Sequence, residues 1–305
     1  MKLTRSRATI AALATAVILT PVVLSGCSTS SAQASPTCPN GKVEFGIEPF
    51  EDPQKLEPAY QAIADSLSKS LDCPVKVQVL EDYSAEVLAM QNGKLDLGQF
   101  GPLGYVFASE RAGAEPLVSF GTADGKLSSY TGGIWVPQDS AIKTLDDLRG
   151  KDLALGSVGS TSGDVLPRSA LAEAGIAENE LNLNYAGGHP EALLALTNGS
   201  VDAAQINSQT LGTAKAEGTF NPDDYRQIWK SEPIPNDPIT VAKDADPQFK
   251  KAVKDALLDL PAKDIEKVAA YLDVTPPGQL IEVDKKTYQP MFDLAKTMKL
   301  TEKDV

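Results

Sequence analysis

Two stretches of alternating strands and helices restrict the possible folds of this sequence more than any other feature. Short apolar runs recur from residue 42 to 120 and again from 152 to 229, and most are followed by residues with helical spacing. This alternation predicts parallel strands joined by right-handed crossovers, which defines the α/β class. The predicted strands cover 42–47, 75–80, 95–100 and 116–120 in the first stretch, and 152–155, 181–185, 201–206 and 226–229 in the second.

Two extended segments connect these stretches. Residues 129–136 follow the first stretch, and the proline-rich residues 232–241 follow the second. We therefore expect two α/β lobes with two hinge crossings and a ligand in the cleft between them. Residues 246–305 are predicted to be helical, with breaks at Pro261 and at 275–278, and to pack on the first lobe. The predicted bounds are 41–129 with 241–305 for lobe 1, and 130–240, hinge segments included, for lobe 2.

A turn rich in glycine and hydroxyl groups, residues 156–163, joins a predicted strand to a predicted helix. Its glycines permit a tight turn, and Ser160, Thr161 and Ser162 stand where the helix starts. Free backbone N–H groups and the positive end of the helix dipole attract an anion there. The turn therefore predicts a grip on a small tetrahedral oxyanion. The alternative is a capped helix start with a flexible turn.

Other polar side chains stand where a predicted strand ends or where the chain crosses between lobes. In open α/β sheets that edge is where ligands bind. Each residue also has an ordinary structural interpretation, such as strand packing or a turn. The candidates are Tyr83, His189 and Gln209 at strand ends, and Tyr130 and Asp237 on the crossing segments.

The chain opens with basic residues, an apolar stretch at 8–24 and the sequence Leu-Ser-Gly-Cys at 24–27, which resembles the bacterial lipobox. This order predicts a lipoprotein signal peptide over 1–26, lipidation of Cys27 and a polar tether over 27–40. The alternative is an ordinary signal peptide with an incidental cysteine. The first interpretation places the protein at the cell membrane, lipid-anchored on the extracytoplasmic face.

The remaining cysteines, Cys38 and Cys73, each stand just before a predicted strand, and neighbouring parallel strands would bring them together. In an exported protein a disulfide between them is expected, with two free thiols as the alternative. In the loop-entropy account such a bridge stabilises the fold by about 3–4 kcal/mol.

Charge and histidine content exclude several partners. The net charge of −13, from 28 Lys and Arg against 41 Asp and Glu, argues against a nucleic-acid partner. A small anion can still be held by neutral donors in a local site. The sequence has one histidine and no metal-ligand spacing, so we expect no metal and no cofactor.

Five separated motifs occur in order along the chain. They are Asp82-Tyr83, Tyr130-Thr131-Gly132, Ser160-Thr161-Ser162-Gly163, Gly187-Gly188-His189 and Ile234-Pro235-Asn236-Asp237-Pro238-Ile239. Together they resemble the phosphate/phosphite/phosphonate-binding proteins of ABC importers, over roughly residues 43–243. The resemblance implies a type II periplasmic-binding-protein fold with hinge closure, a phosphonate, phosphite or phosphate ligand, and permease and ATPase partners. It also implies that Ser160, Thr161 and Ser162 hold the oxyanion, and that Tyr83, Tyr130 and His189 complete the donor ring. We expect a monomer.

One position departs from the family pattern. In the aminoalkylphosphonate binders of the family a Glu and an Asp contact the ligand amine; Asp237 matches the Asp, but Gln209 stands at the Glu position. A neutral amide is a weaker partner for a buried ammonium. We therefore expect Asp237 to accept a proton-bearing oxygen, which favours a protonated phosphonate or hydrogenphosphite over an aminophosphonate.

Two other classes of protein are alternatives for this sequence. A hydrolase would use residues 159–163 as a nucleophile elbow, but Thr161 stands at the centre and His189 has no obvious orienting acid, so no catalytic residue is predicted. A sensor ectodomain of the same fold would usually continue into a transmembrane helix and a signalling domain. Because this sequence ends at Val305, we expect transport.

Overall fold

The computed structural model describes residues 35–301 and residue 304. The predicted signal peptide and the lipidated Cys27 lie outside the described residues. The strands, in chain order, are β1 (Val43–Ile47), β2 (Val75–Val79), β3 (Leu97–Gln99), β4 (Glu115–Thr122), β5 (Ser129–Tyr130), β6 (Gly133–Pro137), β7 (Asp152–Leu155), β8 (Asn182–Tyr185), β9 (Ala203–Gln205), β10 (Tyr225–Lys230), β11 (Ile234–Pro235), β12 (Ile239–Val241) and β13 (Pro277–Glu282).

The α-helices connect or cover these strands. In chain order they are α1 (Pro53–Leu71), α2 (Tyr83–Gln91), α3 (Pro102–Phe107), α4 (Leu166–Glu173), α5 (His189–Thr197), α6 (Ser208–Ala216), α7 (Pro247–Leu258), α8 (Ala262–Tyr271) and α9 (Gln289–Met298). Short helical turns of other types occupy Pro39–Gly41, Ala108–Ala112, Leu145–Leu148, Thr161–Val165, Glu178–Glu180, Pro222–Asp224 and Lys285–Tyr288.

The first sheet has six strands in the order β13-β4-β12-β3-β1-β2. β1 is parallel to both β2 and β3, as the alternation predicts. β12 lies antiparallel between β3 and β4, so the sheet is mixed. The returning crossing segment therefore ends as a central strand of this sheet.

The expectation that 246–305 is helical apart from breaks is wrong at one place. Residues Pro277–Glu282 form β13, which pairs antiparallel with β4 at the sheet edge. Pro277 takes the first position of an edge strand, where its missing N–H is tolerated, and Leu280 is buried against the sheet. A break signal at 275–278 therefore marked the entry to a strand.

The second sheet has five strands in the order β10-β6-β9-β7-β8. β7 is parallel to β8 and β9, whereas β6 runs antiparallel to β9 and β10. We call the six-stranded sheet with α1–α3 and α7–α9 lobe 1, and the five-stranded sheet with α4–α6 lobe 2. The prediction of a two-lobed α/β fold is confirmed.

The chain passes between the two sheets twice. The predicted run 129–136 is interrupted at Thr131 and Gly132, so that its first part is β5 and its second part is β6. β5 pairs antiparallel with β11, and these two short strands form a ribbon of their own between the sheets. The two crossings are therefore hydrogen-bonded to each other.

The predicted disulfide joins Cys38 to Cys73, with the two Cα atoms 5.3 Å apart. The bond follows from the pairing of β1 with β2, in which Val43 stands opposite Val75. It ties the start of the described chain to the start of the second strand. No helix of the described residues is long and apolar enough to cross a membrane.

Candidate functional site

A cavity with about 230 Å³ of space between its lining atoms lies where lobe 1, lobe 2 and the crossing segments meet. It contains seven of the eight residues that the sequence predicted for the site; the eighth, Ser162, is hydrogen-bonded to the lining residue Asn207. The lining residues are Glu48, Phe50, Tyr83, Gly101, Tyr130, Ser160, Thr161, His189, Asn207, Gln209 and Asp237.

The turn after β7 carries three consecutive residues with hydroxyl side chains. Gly159 has φ +83°, a left-handed conformation that glycine adopts without strain. Ser160 caps the helical turn that follows, because its Oγ accepts a hydrogen bond from Gly163 N at 3.1 Å. A Cβ on Gly163 would lie 2.8 Å from Ser160 Oγ and 2.9 Å from His189 Cε1. A side chain there would displace these hydroxyl groups. We call Ser160, Thr161 and Ser162 the hydroxyl wall.

A buried ion pair supports the hydroxyl wall from behind. Asp164 has no exposed surface and bonds to Arg168 Nε at 2.6 Å. The same carboxylate accepts hydrogen bonds from Gly159 N at 3.0 Å and from the Tyr185 hydroxyl at 2.8 Å. Four donors therefore meet two carboxylate oxygens, since Arg168 also donates through Nη2. The network fixes the turn backbone on which Ser160 stands.

His189 contacts the hydroxyl wall through Ser160. Its Nε2 lies 3.2 Å from Ser160 Oγ, and its Nδ1 lies 3.2 Å from Gln205 Oε1. An amide oxygen only accepts, so in this arrangement Nδ1 carries the proton and Nε2 accepts the Ser160 hydroxyl. Burial lowers the pKa of His189 to about 4, which keeps the imidazole neutral near pH 7. A direct bond from His189 to an oxyanion stays a prediction.

Two tyrosines place their phenol groups beside the hydroxyl wall. Tyr83 belongs to lobe 1, and Tyr130 belongs to the first crossing segment. The phenol of Tyr83 lies close to Ser160 and that of Tyr130 close to Ser162, and each serine acts to lower the pKa of its neighbouring phenol. Burial raises the pKa of both phenols well above the usual value, with the negative charges of Glu48 and Asp237 adding to the effect. Both tyrosines therefore remain neutral hydrogen-bond donors.

Thr161 links the two lobes directly. Its Oγ1 accepts a hydrogen bond of 2.9 Å from Leu103 N, at the start of α3 in lobe 1. Its hydroxyl hydrogen is left to donate elsewhere. Thr161, the central residue of the predicted oxyanion-binding turn, therefore also bonds to lobe 1.

The crossing segment 234–239 supplies the opposite side of the cavity. Asn236 is fully buried, and its side chain bonds to Ser128 Oγ at 2.7 Å and to Gln209 Nε2 at 2.7 Å. Its carbonyl accepts from the hydroxyls of Ser119 and Tyr288. Gln209 is therefore engaged with the crossing segment, and its Nε2 also reaches Leu272 O at 3.4 Å.

Asp237 accepts a 2.6 Å hydrogen bond from Gln99 Nε2, and burial raises its pKa to about 8. Beside it lies Glu48, which was not among the residues predicted from the sequence. Glu48 follows β1, is buried, and accepts a hydrogen bond from Gly101 N. Burial, and then the charge of Asp237, raise its pKa well above the ordinary value. We call Glu48 and Asp237 the acid wall.

The signal for Glu48 was its position at the end of a strand, the same rule that selected Tyr83. Nothing in the local sequence separates it from Glu51, three residues further on. Phe50, Gly101 and Asn207 also line the cavity and were not selected as candidates. Among the described residues, no lysine or arginine lines the cavity. Within residues 35–301 and 304, no group of His, Cys, Asp and Glu is arranged to hold a metal ion.

Two α/β lobes, two crossings and a polar cavity between them define the class of two-lobed substrate-binding proteins. The sequence model of one family, described as the periplasmic substrate-binding protein of ABC phosphonate transporters, matches residues 45–288. The chain therefore belongs to that family.

Known members are similar to this chain at moderate identity. The phosphonates-binding periplasmic protein of Escherichia coli K12 is 29% identical over 222 residues, which are 71% of this chain and 65% of that protein. The phosphate-import protein PhnD of Mycolicibacterium smegmatis is 28% identical over 235 residues, 73% of each chain. The structure of PhnD1 from Prochlorococcus marinus in complex with methylphosphonate superposes with a TM-score of 0.74 at 19% identity, over 87% of this chain and 99% of that one.

Proposed function

We propose that this protein captures a small phosphorus oxyanion in the interlobe cavity and delivers it to the permease of an ABC importer. The observation that carries the proposal is the convergence of neutral donors from both lobes: Tyr83 from lobe 1, the hydroxyl wall from lobe 2 and Tyr130 from the crossing. Neutral donors at a helix start suit a tetrahedral anion with several equivalent oxygens. On ligand binding, the Ser160 hydroxyl would turn its hydrogen from His189 Nε2 to a ligand oxygen, and Thr161 and Ser162 would hold the other oxygens.

Capture and closure are one event in this arrangement. A ligand that touches both lobes binds the closed form more tightly than the open form, and so shifts the population toward closure. The Thr161–Leu103 bond and the Gln209 bonds to Asn236 and Leu272 would form in the same step. The closed form is the state that would dock on the permease.

The ligands named for the relatives support a phosphorus oxyanion without selecting one. They name phosphonates, phosphate and methylphosphonate for different proteins. These ligands share a tetrahedral phosphorus with several oxygens. On this chain, we infer that Asp237 accepts a hydrogen bond from a protonated oxygen, which favours a ligand with a P–OH group over an aminophosphonate.

A hydrolase would use the same Ser160–His189 contact. The electrostatic surroundings of His189 therefore distinguish a catalytic base from a ligand-binding residue. His189 has its pKa lowered to about 4, which makes it a weak base near pH 7. Its other nitrogen faces Gln205, an amide that cannot stabilise an imidazolium as a carboxylate does. These features favour binding over catalysis, and we propose that the protein is not an enzyme.

The proposed location is the extracytoplasmic face of the cell membrane, where a lipid on Cys27 would anchor a monomeric protein. Growth with a clickable palmitate analogue tests the anchor. The wild-type chain should be labelled, whereas Cys27→Ser should be unlabelled and released into the soluble fraction. Labelling of the variant would contradict the assignment.

Calorimetric titration of the purified full-length chain in detergent tests the ligand class. Methylphosphonate, phosphite and phosphate are the probes, and 2-aminoethylphosphonate tests the predicted preference. At least one of the first three should bind, and Ser162→Ala should weaken that binding. No binding of any of the three would overturn the proposed function. Tight binding of 2-aminoethylphosphonate alone would overturn the proposed preference for a P–OH group.

A further inference from the structure

The cavity is enclosed, and its walls are almost entirely polar. Each lining residue is buried, so a ligand held there is nearly cut off from solvent. Nine of the eleven lining residues have polar side chains. Among the described residues, Phe50 supplies the one apolar side chain of the lining, and Gly101 has none. An alkyl group on a ligand would therefore lie against polar atoms or against a single ring, and a longer arm would have to displace buried residues.

The acid wall presents two carboxyl oxygens that lack a partner. Gly101 N donates to Glu48 Oε2, and Gln99 Nε2 donates to Asp237 Oδ2. The other oxygens, Glu48 Oε1 and Asp237 Oδ1, have no hydrogen-bond partner among the described residues, although each residue is only 3% exposed. An ionised carboxylate needs a donor, and a protonated one needs an acceptor for its hydrogen. In either state each acid requires an oxygen from the ligand, and a methyl group cannot replace it.

A tetrahedral anion between two polar walls turns two of its four corners toward each wall. The hydroxyl wall and the phenols of Tyr83 and Tyr130 supply neutral donors on one side, which suit two ligand oxygens. The acid wall would take two further oxygens on the other side, one at each carboxyl group. The lining therefore complements four oxygens rather than three.

We propose that the cavity selects inorganic phosphate over phosphite and phosphonates, and that Glu48 is the specificity-determining residue that bonds the fourth oxygen. This inference rests on the proposed function and narrows its ligand class to an anion with four oxygens on phosphorus. The proposed function pairs Asp237 with one protonated oxygen and leaves Glu48 without a role. In phosphite a hydrogen stands at the fourth corner, and in methylphosphonate a methyl group does.

No orientation of a three-oxygen ligand satisfies both walls. With its methyl group toward the acid wall, methylphosphonate leaves Glu48 or Asp237 unpaired in a buried site. With the methyl group toward the hydroxyl wall, it pairs both acids but loses a hydrogen bond from a neutral donor. If the methyl group contacts Phe50 instead, three oxygens remain for the four positions. A site built to bond a ligand oxygen discriminates strongly against an analogue that lacks it, because the buried partner stays unpaired.

Calorimetric titration of the full-length chain in detergent compares phosphate, phosphite and methylphosphonate at one pH near neutrality. All three can carry a P–OH group, so the protonated oxygen proposed for Asp237 is kept and only the fourth substituent changes. We expect phosphate to bind about 10- to 100-fold more tightly than methylphosphonate and about tenfold more tightly than phosphite. A phosphate preference below about threefold over either analogue, or a reversed order, would overturn the inference and leave the proposed function standing. Binding of none of the three would overturn the proposed function itself.

Two substitutions at position 48 test the residue assigned to the fourth oxygen. Glu48→Leu removes both carboxyl oxygens, so phosphate should bind about tenfold more weakly and its preference over methylphosphonate should fall to within about threefold. Glu48→Gln keeps a polar end, so that preference should stay within about threefold of the wild-type value. A wild-type preference in Glu48→Leu would remove this role from Glu48. Thermal unfolding without ligand shows whether each variant folds, and the ranking of ligands by the wild-type chain stands as a test in either case.

Glu86→Leu is the matched control, because Glu86 is a buried glutamate close to Glu48 that does not line the cavity. It should leave the ratio of phosphate to methylphosphonate affinity within about twofold of wild type. A collapse of the ratio in this variant as well would show that the ratio follows any loss of a buried acid in lobe 1, and would overturn the assignment to Glu48.

Discussion

Both walls of the cavity are polar, but one is formed by a continuous segment and the other by residues distant in sequence. The hydroxyl wall is a continuous piece of chain, residues 160–162, held by a glycine turn and by the Asp164–Arg168 pair. The acid wall is assembled from residues 48 and 237, which are brought together by the antiparallel insertion of β12 beside β3. The first wall is therefore visible in the sequence as a motif, and the second exists only in the folded sheet.

The walls also differ in how well their polar atoms are satisfied. Behind the hydroxyl wall, Asp164 meets four donors. Behind the acid wall, both carboxyl oxygens of Glu86, the Tyr60 hydroxyl and Gln99 Oε1 have no hydrogen-bond partner within the described part of the chain. The Gln99 N–H lies near enough to lower the pKa of Glu86 but not in hydrogen-bonding geometry. The hydroxyl wall is thus built for rigidity, whereas the acid wall retains costly polar groups.

The largest expected effect comes from breaking the support of the hydroxyl wall. Arg168→Ala leaves the buried Asp164 carboxylate without its cation, and should lower the free energy of unfolding by about 3–5 kcal/mol. Chemical denaturation measures the loss. Arg149→Ala is the control, since Arg149 pairs with exposed acids in the same lobe and should cost less than about 1 kcal/mol. Equal losses would mean that the buried pair has no special role.

Removing one hydroxyl from the wall should have the next largest effect, and on affinity. Ser160→Ala deletes the group that Tyr83, His189 and Gly163 all contact. Ligand affinity should fall about 30- to 100-fold, equivalent to about 2–3 kcal/mol for a hydrogen bond to a charged group. Ser169→Ala, a buried serine outside the cavity, should leave the dissociation constant unchanged in the same titration. Unchanged binding by Ser160→Ala would remove Ser160 from the site.

On the acid-wall side, Glu86→Leu should stabilise the protein by about 1–3 kcal/mol, because it removes a buried carboxyl without hydrogen bonds. Burial raises the folded-state pKa of Glu86 above its ordinary 4.5. As pH rises above that value the unfolded chain ionises first, so wild type loses stability that the variant keeps. The difference in melting temperature should therefore grow with pH. Glu57→Leu, at an exposed position of α1, is the control.

The smallest effect is expected at the rim, where Lys55 of lobe 1 pairs with Glu217 of lobe 2 at 2.9 Å. Both side chains are partly exposed, so Glu217→Gln should weaken ligand binding less than about fivefold, within the 1 kcal/mol typical of such pairs. The effect should disappear in high salt. A larger, salt-independent loss would make this rim pair part of the closure machinery.

Much of the fold could be predicted because periodicity is a local property. The stripe of α1 that contains Leu56, Ile63 and Leu67 is buried as its spacing indicates, and the parallel pairing of β1 with β2 follows from the alternation. The helical prediction failed at β13, whereas β12 lies in the predicted extended crossing 232–241 but its place in the sheet could not be predicted. Both strands depend on pairing between segments far apart in sequence. The local sequence of a proline-rich segment does not indicate which strands it will pair with.

The same distinction between local signals and long-range contacts applies to the residues of the candidate site. Ser160–Ser162 and His189 are marked by neighbouring glycines and by helix starts, which carry a physical reason for anion binding. Glu48 has no such mark, because its role depends on burial beside Asp237 rather than on its neighbours in sequence. The interpretation of Gln209 as a ligand-facing group was incomplete for the same reason. Its amide is largely used to hold the crossing segment.

Asn236 and Asp237 divide two duties between adjacent positions, and this division bears on how the protein could evolve. Asn236 takes part in five hydrogen bonds that tie the crossing segment to its surroundings, whereas the side chain of Asp237 lines the cavity. Under the proposed function, ligand preference could change through substitutions at 237 and 48 without removing the hydrogen bonds of Asn236. A combinatorial library at those two positions, with Asn236 held constant, is the natural starting point for retargeting this scaffold to new anions.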